Sequence, residues 1–133
     1  MNVRAFPFLA IVVALYFLVV LFTGSGLAGV WFRMTLPSGA QWVVTTGDVL
    51  LILALILLFV EMMIATASRA VSILNHGLSM VVFIVCVLAF VLMPSCGNSV
   101  FFLLLLINLV DVVAGYSISI VTARRDIALG ANE

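Results

Sequence analysis

The sequence predicts an all-α membrane protein, a four-helix transmembrane bundle with a short extracytoplasmic β-hairpin between its first two helices. The first observation is composition, since 67% of the 133 residues are hydrophobic and 8% are charged, whereas a soluble domain carries about 25% charged residues. The second is a set of four apolar runs, and the third is a polar, alternating segment between the first two runs. We therefore expect residues 1–133 to form one membrane domain solvated by the lipid bilayer.

The four apolar runs define the predicted spans, which we place at about residues 6–23, 48–68, 76–93 and 100–122. The first run is longer than the apolar core of a signal peptide, about 7–15 residues, so we predict a retained helix. Asp48 is a residue type that caps helix N-termini. Asn75-His76-Gly77 is a turn signal that separates the second and third spans, and we expect the residues after Arg125 to form a frayed tail.

The polar segment at about residues 30–46 changes to a period of two, which is typical of β-strands. A turn at Pro37-Ser38-Gly39 separates its two halves, so we predict a β-hairpin. On the first strand, one apolar face would present Val30, Phe32, Met34 and Leu36, in alternation with Trp31, Arg33 and Thr35. A compatible alternative is a segment that lies on the membrane surface, with Trp31 and Trp42 as interfacial anchors.

The arginines predict the orientation of the chain. With four spans, both termini share one side, and Arg4, Arg69, Arg124 and Arg125 all fall there. Arg33 alone falls on the other side. Because basic residues concentrate in cytoplasmic segments, we predict cytoplasmic termini and a hairpin on the other side of the membrane.

Two acidic residues lie inside the predicted spans, Glu61 in the second and Asp111 in the fourth. At 100° per residue, one polar and small face of the fourth helix collects Asn108, Asp111, Gly115, Ser119 and Thr122. Glu61 and Asp111 lie at similar depth, and no lysine or arginine lies inside any span. Since a carboxylate is costly to bury without a counter-ion, we expect at least one of them to be protonated at neutral pH.

Two interpretations of these acids stay open. In one, they are polar anchors that hydrogen-bond neighbouring helices, with Asp111 bonded to Asn108 or across the bundle, and Glu61 to Ser68, His76 or water. In the other, they form a proton relay or a proton-coupled cation site. The second interpretation corresponds to a small transporter or channel.

Other chemistry has little support in the sequence. His76 is the sole histidine, and Cys86 and Cys96 are too far apart along one helix to form a disulfide, so we expect no metal site and no redox centre. No phosphate loop, nucleophile elbow or zinc-protease motif occurs. Five arginines without a basic patch do not indicate nucleic-acid binding. We predict a non-enzyme without a cofactor; a membrane enzyme that uses the two acids is a weaker alternative.

Four stretches resemble a family of uncharacterised four-helix bacterial inner-membrane proteins. They are LPSGA at 36–40, GDVL at 47–50, NHGLS at 75–79 continuing to Val82-Phe83, and DVVAG at 111–115. The resemblance covers roughly residues 36–121 and implies an inner membrane, four helices and an outer hairpin, without a function. The chain has Asn75 where an acidic residue is expected before His76.

The hairpin carries the leading prediction of function. A two-stranded hairpin is marginal alone and has open edges that can accept another strand. We therefore expect a non-enzymatic accessory or scaffold protein that binds another membrane protein, or itself, through Val30, Trp31, Phe32, Met34, Leu36 and Trp42. The alternative is the small proton-coupled transporter or channel, which would use Asp111 and Glu61.

Overall fold

The computed structural model of this chain describes residues 6–24, 26–67 and 69–130, without the side chains of residues 67, 69–74, 122, 126 and 129. The described residues form four α-helices and one hairpin, in the order α1 (Leu9–Thr23), β1 (Val30–Thr35), β2 (Gln41–Thr45), α2 (Thr46–Ala67), α3 (Arg69–Leu92) and α4 (Ser99–Gly130). Short 3-10 turns occupy Gly26–Ala28 and Pro94–Cys96. The predicted four helices and the hairpin between the first two are confirmed.

Three of the described helices are long and apolar enough to cross a membrane, over Thr46–Thr66, Asn75–Leu92 and Ser99–Arg125. Their outward surfaces are covered by exposed Leu, Ile, Val and Phe side chains. Helix α1 has only 15 residues, about 22 Å of helix against a hydrocarbon core of about 30 Å. It is preceded by Pro7, which fixes a backbone angle that suits a helix start.

Two predicted boundaries differ from the structure. Helix α3 begins at Arg69, so Asn75-His76-Gly77 lies inside a helix and not in a turn. Helix α4 continues to Gly130, well past the residues that we expected to form a frayed tail. In both places the helix continues through polar residues. An apolar run in the sequence does not predict such a continuation.

Helix α4 is the centre of the bundle, since it packs along both α3 and α2. Helix α2 packs against α4 more extensively than against α3, its neighbour in the sequence. The buried apolar core comprises Leu9, Val12, Val13, Tyr16, Leu50, Ala54, Cys86, Ala89, Cys96, Phe101, Leu104 and Leu105. These residues come from all four helices and from the Pro94–Cys96 turn, so one core joins the helices and that turn.

Tyr16 fixes α1 against the turn between α3 and α4. Its hydroxyl donates to the Ser95 carbonyl oxygen (2.8 Å) and accepts from Asn98 Nδ2 (2.6 Å). Asn98 also caps α4, because its Oδ1 accepts from the Phe101 N–H (3.0 Å). A buried tyrosine whose hydroxyl is satisfied in this way stabilises the docking of α1 without leaving an unpaired polar group.

The hairpin is joined to α2 without a linker, since β2 ends at Thr45 and α2 begins at Thr46. Thr45 Oγ1 accepts from the Asp48 N–H (3.3 Å), and Asp48 Oδ2 accepts from the Thr45 N–H (2.8 Å). This reciprocal pair is a capping box. Thr45 is therefore the N-cap, and the prediction that Asp48 fills that position is wrong by three residues.

Candidate functional site

Six polar side chains are buried together in the interior of the bundle, and we call them the interior cluster: Glu61, Asn75, His76, Ser79, Asn108 and Asp111. Each is at most 4% exposed. Glu61 comes from α2, the next three from α3, and Asn108 and Asp111 from α4. Because such groups are costly to bury, a shared position near one depth indicates a built site and not a chance arrangement.

Glu61 is held by donors from two other helices. Its Oε1 accepts from Asn75 Nδ2 (2.5 Å) and from the Ser79 hydroxyl (3.4 Å). Its Oε2 accepts from the Leu9 N–H (3.4 Å). Leu9 is the first residue of α1, so Glu61 lies at the positive end of that helix dipole, where negative charge is stabilised.

Asp111 and His76 have no such partners among the described residues. Neither carboxyl oxygen of Asp111 and neither ring nitrogen of His76 makes a hydrogen bond, although both side chains are 0% exposed. The two groups are close enough to interact electrostatically, and Ser79 lies beside Asp111 as well as Glu61. The expected hydrogen bond from Asp111 to Asn108 is not formed, because the Asn108 amide donates to its own helix.

Gly115 provides the space for the imidazole. The ring of His76 lies directly against the Gly115 backbone, and a Cβ atom at that position would overlap it. Gly115 is one helical turn after Asp111 on the same face of α4. The small residue therefore seats His76 beside the carboxyl group, with the Tyr116 ring 6.3 Å from the imidazole.

The other predicted members of this face of α4 bond to their own helix. Asn108 Nδ2 donates to the Leu104 carbonyl oxygen (2.8 Å), and Ser119 Oγ donates to the Gly115 carbonyl oxygen (3.0 Å). Ser68 and the Thr122 side chain, placed on the polar faces in the sequence, lie outside the described part of the chain. Glu61 does not bond His76 in this structure; its α3 partners are Asn75 and Ser79.

Two cluster residues, Asn75 and His76, were predicted to lie in a turn; His76 was named only as one alternative partner of Glu61, and Asn75 was not assigned to a site. In the structure Asn75 donates a hydrogen bond to Glu61, and His76 adds a third titratable group to the cluster. Among the described residues, no group of three or more His, Cys, Asp or Glu side chains is arranged to hold a metal ion. Carboxyl and imidazole side chains of this kind can bind and transfer protons.

The hairpin presents a second candidate surface. Strands β1 and β2 pair in antiparallel register, with Phe32 opposite Val44 and Met34 opposite Trp42. The register shifts between Val30 and Phe32, so the regular alternation predicted from Val30 to Leu36 is interrupted. We call Phe32, Met34 and Trp42 the hairpin face, because these paired positions lie on one side of the sheet.

The hairpin face is open to its surroundings. Phe32 and Trp42 pack edge to face, with ring centroids 5.5 Å apart, and both remain close to half exposed. Every residue of β1 is exposed, including Trp31 at 66%, whereas Val44 at the base of the same face is buried. The hairpin thus stands on the bundle at its base and exposes its apolar side chains beyond it.

Neither a protein-family model, nor a curated protein, nor a solved structure matches this chain. What the interior cluster and the hairpin face do must therefore follow from their own residues.

Proposed function

We propose that this protein is a non-enzymatic accessory or scaffold protein of the bacterial inner membrane, which binds another membrane protein or a second copy of itself through the hairpin. The observation that carries the proposal is the hairpin face. Phe32, Met34 and Trp42 expose apolar and aromatic surface, and aromatic residues dominate the energetics of protein interfaces. Both edges of the two-stranded sheet are also available for strand addition.

The surface of the bundle supports membrane insertion. Three helices have the length and composition of membrane spans, and their outward leucines, isoleucines and phenylalanines would form a large apolar patch in water. Arg124 and Arg125 stand at the end of the bundle opposite Arg33. The excess of arginine at that end supports cytoplasmic termini, with the hairpin outside the cytoplasm.

The orientation can be measured by cysteine labelling, but Cys96 is a poor probe. Its side chain is 0% exposed, and burial raises the pKa of its thiol, which lowers its reactivity. We therefore expect a cysteine at exposed Ser38, in a chain whose native cysteines are replaced by alanine, to react with an impermeant maleimide in intact cells. Gly130→Cys should react only after the cells are permeabilised. Labelling of position 130 in intact cells would reverse the topology.

Phe32→Asp tests the docking surface. A charge in the middle of the hairpin face should reduce recovery of the bound partner at least about tenfold, since aromatic anchors contribute about 2 kcal/mol or more at interfaces. The measurement is quantitative co-purification in mild detergent, together with crosslinking to detect self-association. The bundle should unfold at the wild-type temperature, because Phe32 lies outside the core cluster.

Val43→Asp is the matched control for this experiment. It places the same charge in the same hairpin, but on the opposite side of the sheet and directly across from Arg33. Binding should be retained in this variant, since the new carboxylate leaves the hairpin face intact and has a favourable cross-strand partner. Equal recovery from Phe32→Asp and wild type would remove the docking proposal.

A further inference from the structure

The interior cluster contains two kinds of buried polar group, which differ in whether they are hydrogen-bonded. Both oxygens of Glu61 accept hydrogen bonds, from Asn75, Ser79 and the Leu9 N–H. The oxygens of Asp111 and the nitrogens of His76 have no hydrogen-bond partner in the described part of the chain. Buried polar atoms in native proteins are paired in the great majority of cases, so an unpaired pair of titratable groups needs a specific explanation.

The charges of the cluster point to a proton. If neither acid were protonated and the imidazole were neutral, two negative charges would lie close together in an apolar interior. Glu61 interacts electrostatically with Asp111, and Asp111 interacts electrostatically with His76. Two like charges this close together repel each other, which favours the binding of a proton by the cluster.

Glu61 is the poorest place for that proton. A carboxylate that accepts hydrogen bonds on both oxygens is stabilised in its ionised form, and the start of α1 adds the positive end of a helix dipole. Asp111 and His76 lack hydrogen bonds of this kind, with only the Ser79 hydroxyl lying beside Asp111, so we assign the proton to this pair.

We propose that His76 and Asp111 form a proton-binding pair in the bundle interior, which takes up one proton from water and returns it, beside the fixed carboxylate of Glu61. In the loaded state the proton is held either as a carboxylic acid beside a neutral imidazole or as an imidazolium beside a carboxylate. Release transfers it to water and leaves a neutral imidazole and a carboxylate. The seat for the imidazole is the Gly115 backbone, one turn from Asp111.

This is a binding site and not a route across the membrane. On the same face of α4, towards the hairpin end, the residues beyond Asp111 are Asn108, Leu104 and Phe101, all buried. The Asn108 amide bonds to its own helix, and the next two side chains are apolar. The groups that face the pair are Glu61 from α2, Ser79 from α3 and Tyr116 from α4.

The single histidine makes the proposal directly measurable. Growth on isotopically labelled histidine gives one imidazole signal in nuclear magnetic resonance, that of His76. In the detergent-purified full chain we expect this signal to change with pH between about pH 5 and pH 8, the range in which histidine charge is poised. Asp111→Asn keeps the size of the side chain and removes its charge, and should move the midpoint by about one to three pH units.

Asp48→Asn is the matched control, since it removes a carboxylate from the capping box at the far end of α2. It should leave the midpoint of the His76 signal unchanged. A wild-type signal that is constant over this range would overturn the proposal without any variant, and so would equal midpoints in wild type and Asp111→Asn. The result is independent of hairpin docking, which Phe32→Asp tests separately.

Discussion

Gly115→Ala is expected to destabilise the bundle by about 1–3 kcal/mol, the usual cost of forcing an extra carbon into a packed interior. The new Cβ atom would overlap the imidazole of His76, which lies against the Gly115 backbone. Helix propensity acts in the opposite direction, since alanine is favoured over glycine by about 0.5–1 kcal/mol in a helix interior. The cost of the steric overlap exceeds the gain in helix propensity, so the substitution should lower the free energy of unfolding.

The control for this prediction is Gly77→Ala in α3. A Cβ atom there meets nothing within 4 Å, so the same substitution should be neutral or stabilising by helix propensity alone. Thermal unfolding in one detergent compares the two variants. The double variant Gly115→Ala with His76→Ala should be less destabilised than the sum of the two single variants, because contacting residues couple by about 0.5–3 kcal/mol. If Gly115→Ala is as stable as Gly77→Ala, His76 does not lie where the structure places it.

Glu61→Leu should have a comparable or larger effect, about 2–4 kcal/mol, because it leaves the Asn75 amide and the Leu9 N–H buried without an acceptor. The loss should appear first in α1, whose initial residue is bonded to Glu61. Hydrogen exchange of the Leu9 amide should accelerate more than that of amides in the centre of α4. Unfolding temperature and exchange are measured on the same detergent-purified sample.

Two further variants separate the hydrogen bonds of Glu61 from its size. Glu61→Gln keeps one acceptor oxygen and should lose roughly half as much stability, since one donor remains paired. Met62→Leu, at the next position, is a volume-conserving apolar exchange and should cost less than about 1.5 kcal/mol. Stability of Glu61→Leu equal to that of Met62→Leu would show that the carboxylate does not hold α1.

The elements with a clear periodic pattern could be predicted from the sequence. The alternation around Phe32 predicts the hairpin, and continuous apolar runs predict α2, α3 and α4. The arrangement of Asn108, Asp111 and Gly115 on one side of α4 follows from 100° per residue, and the structure places the first two of these side chains in the interior.

His76 could not be assigned in the same way, because its neighbours Asn75 and Gly77 are turn-formers and poor helix formers. In the structure, packing overrides that preference and the helix continues through all three residues. The sequence does contain a weaker pattern, because the small or polar residues Asn75, Ser79, Cys86 and Ala89 recur at helical spacing. All four are buried in the structure. That face identifies the side of α3 turned to the interior, but it does not show which residue of another helix it meets.

The continuation of α4 to Gly130 was missed for a different reason. An apolar run indicates only the part of a helix that lies in an apolar environment, and the last turns of α4 are exposed, with Ile127 at 73%. Backbone hydrogen bonds within a helix need no burial to form. Its end therefore cannot be found from hydrophobicity.

The direct passage from β2 into α2 has a mechanical consequence. Thr45 and Asp48 lock the junction reciprocally, and the Trp31 indole donates to Thr46 Oγ1 (3.1 Å) across the base of the hairpin. No residue separates β2 from α2, so the second strand of the hairpin continues directly into the helix. A displacement of Phe32 or Trp42 on partner binding would therefore be transmitted to α2, the helix that carries Glu61.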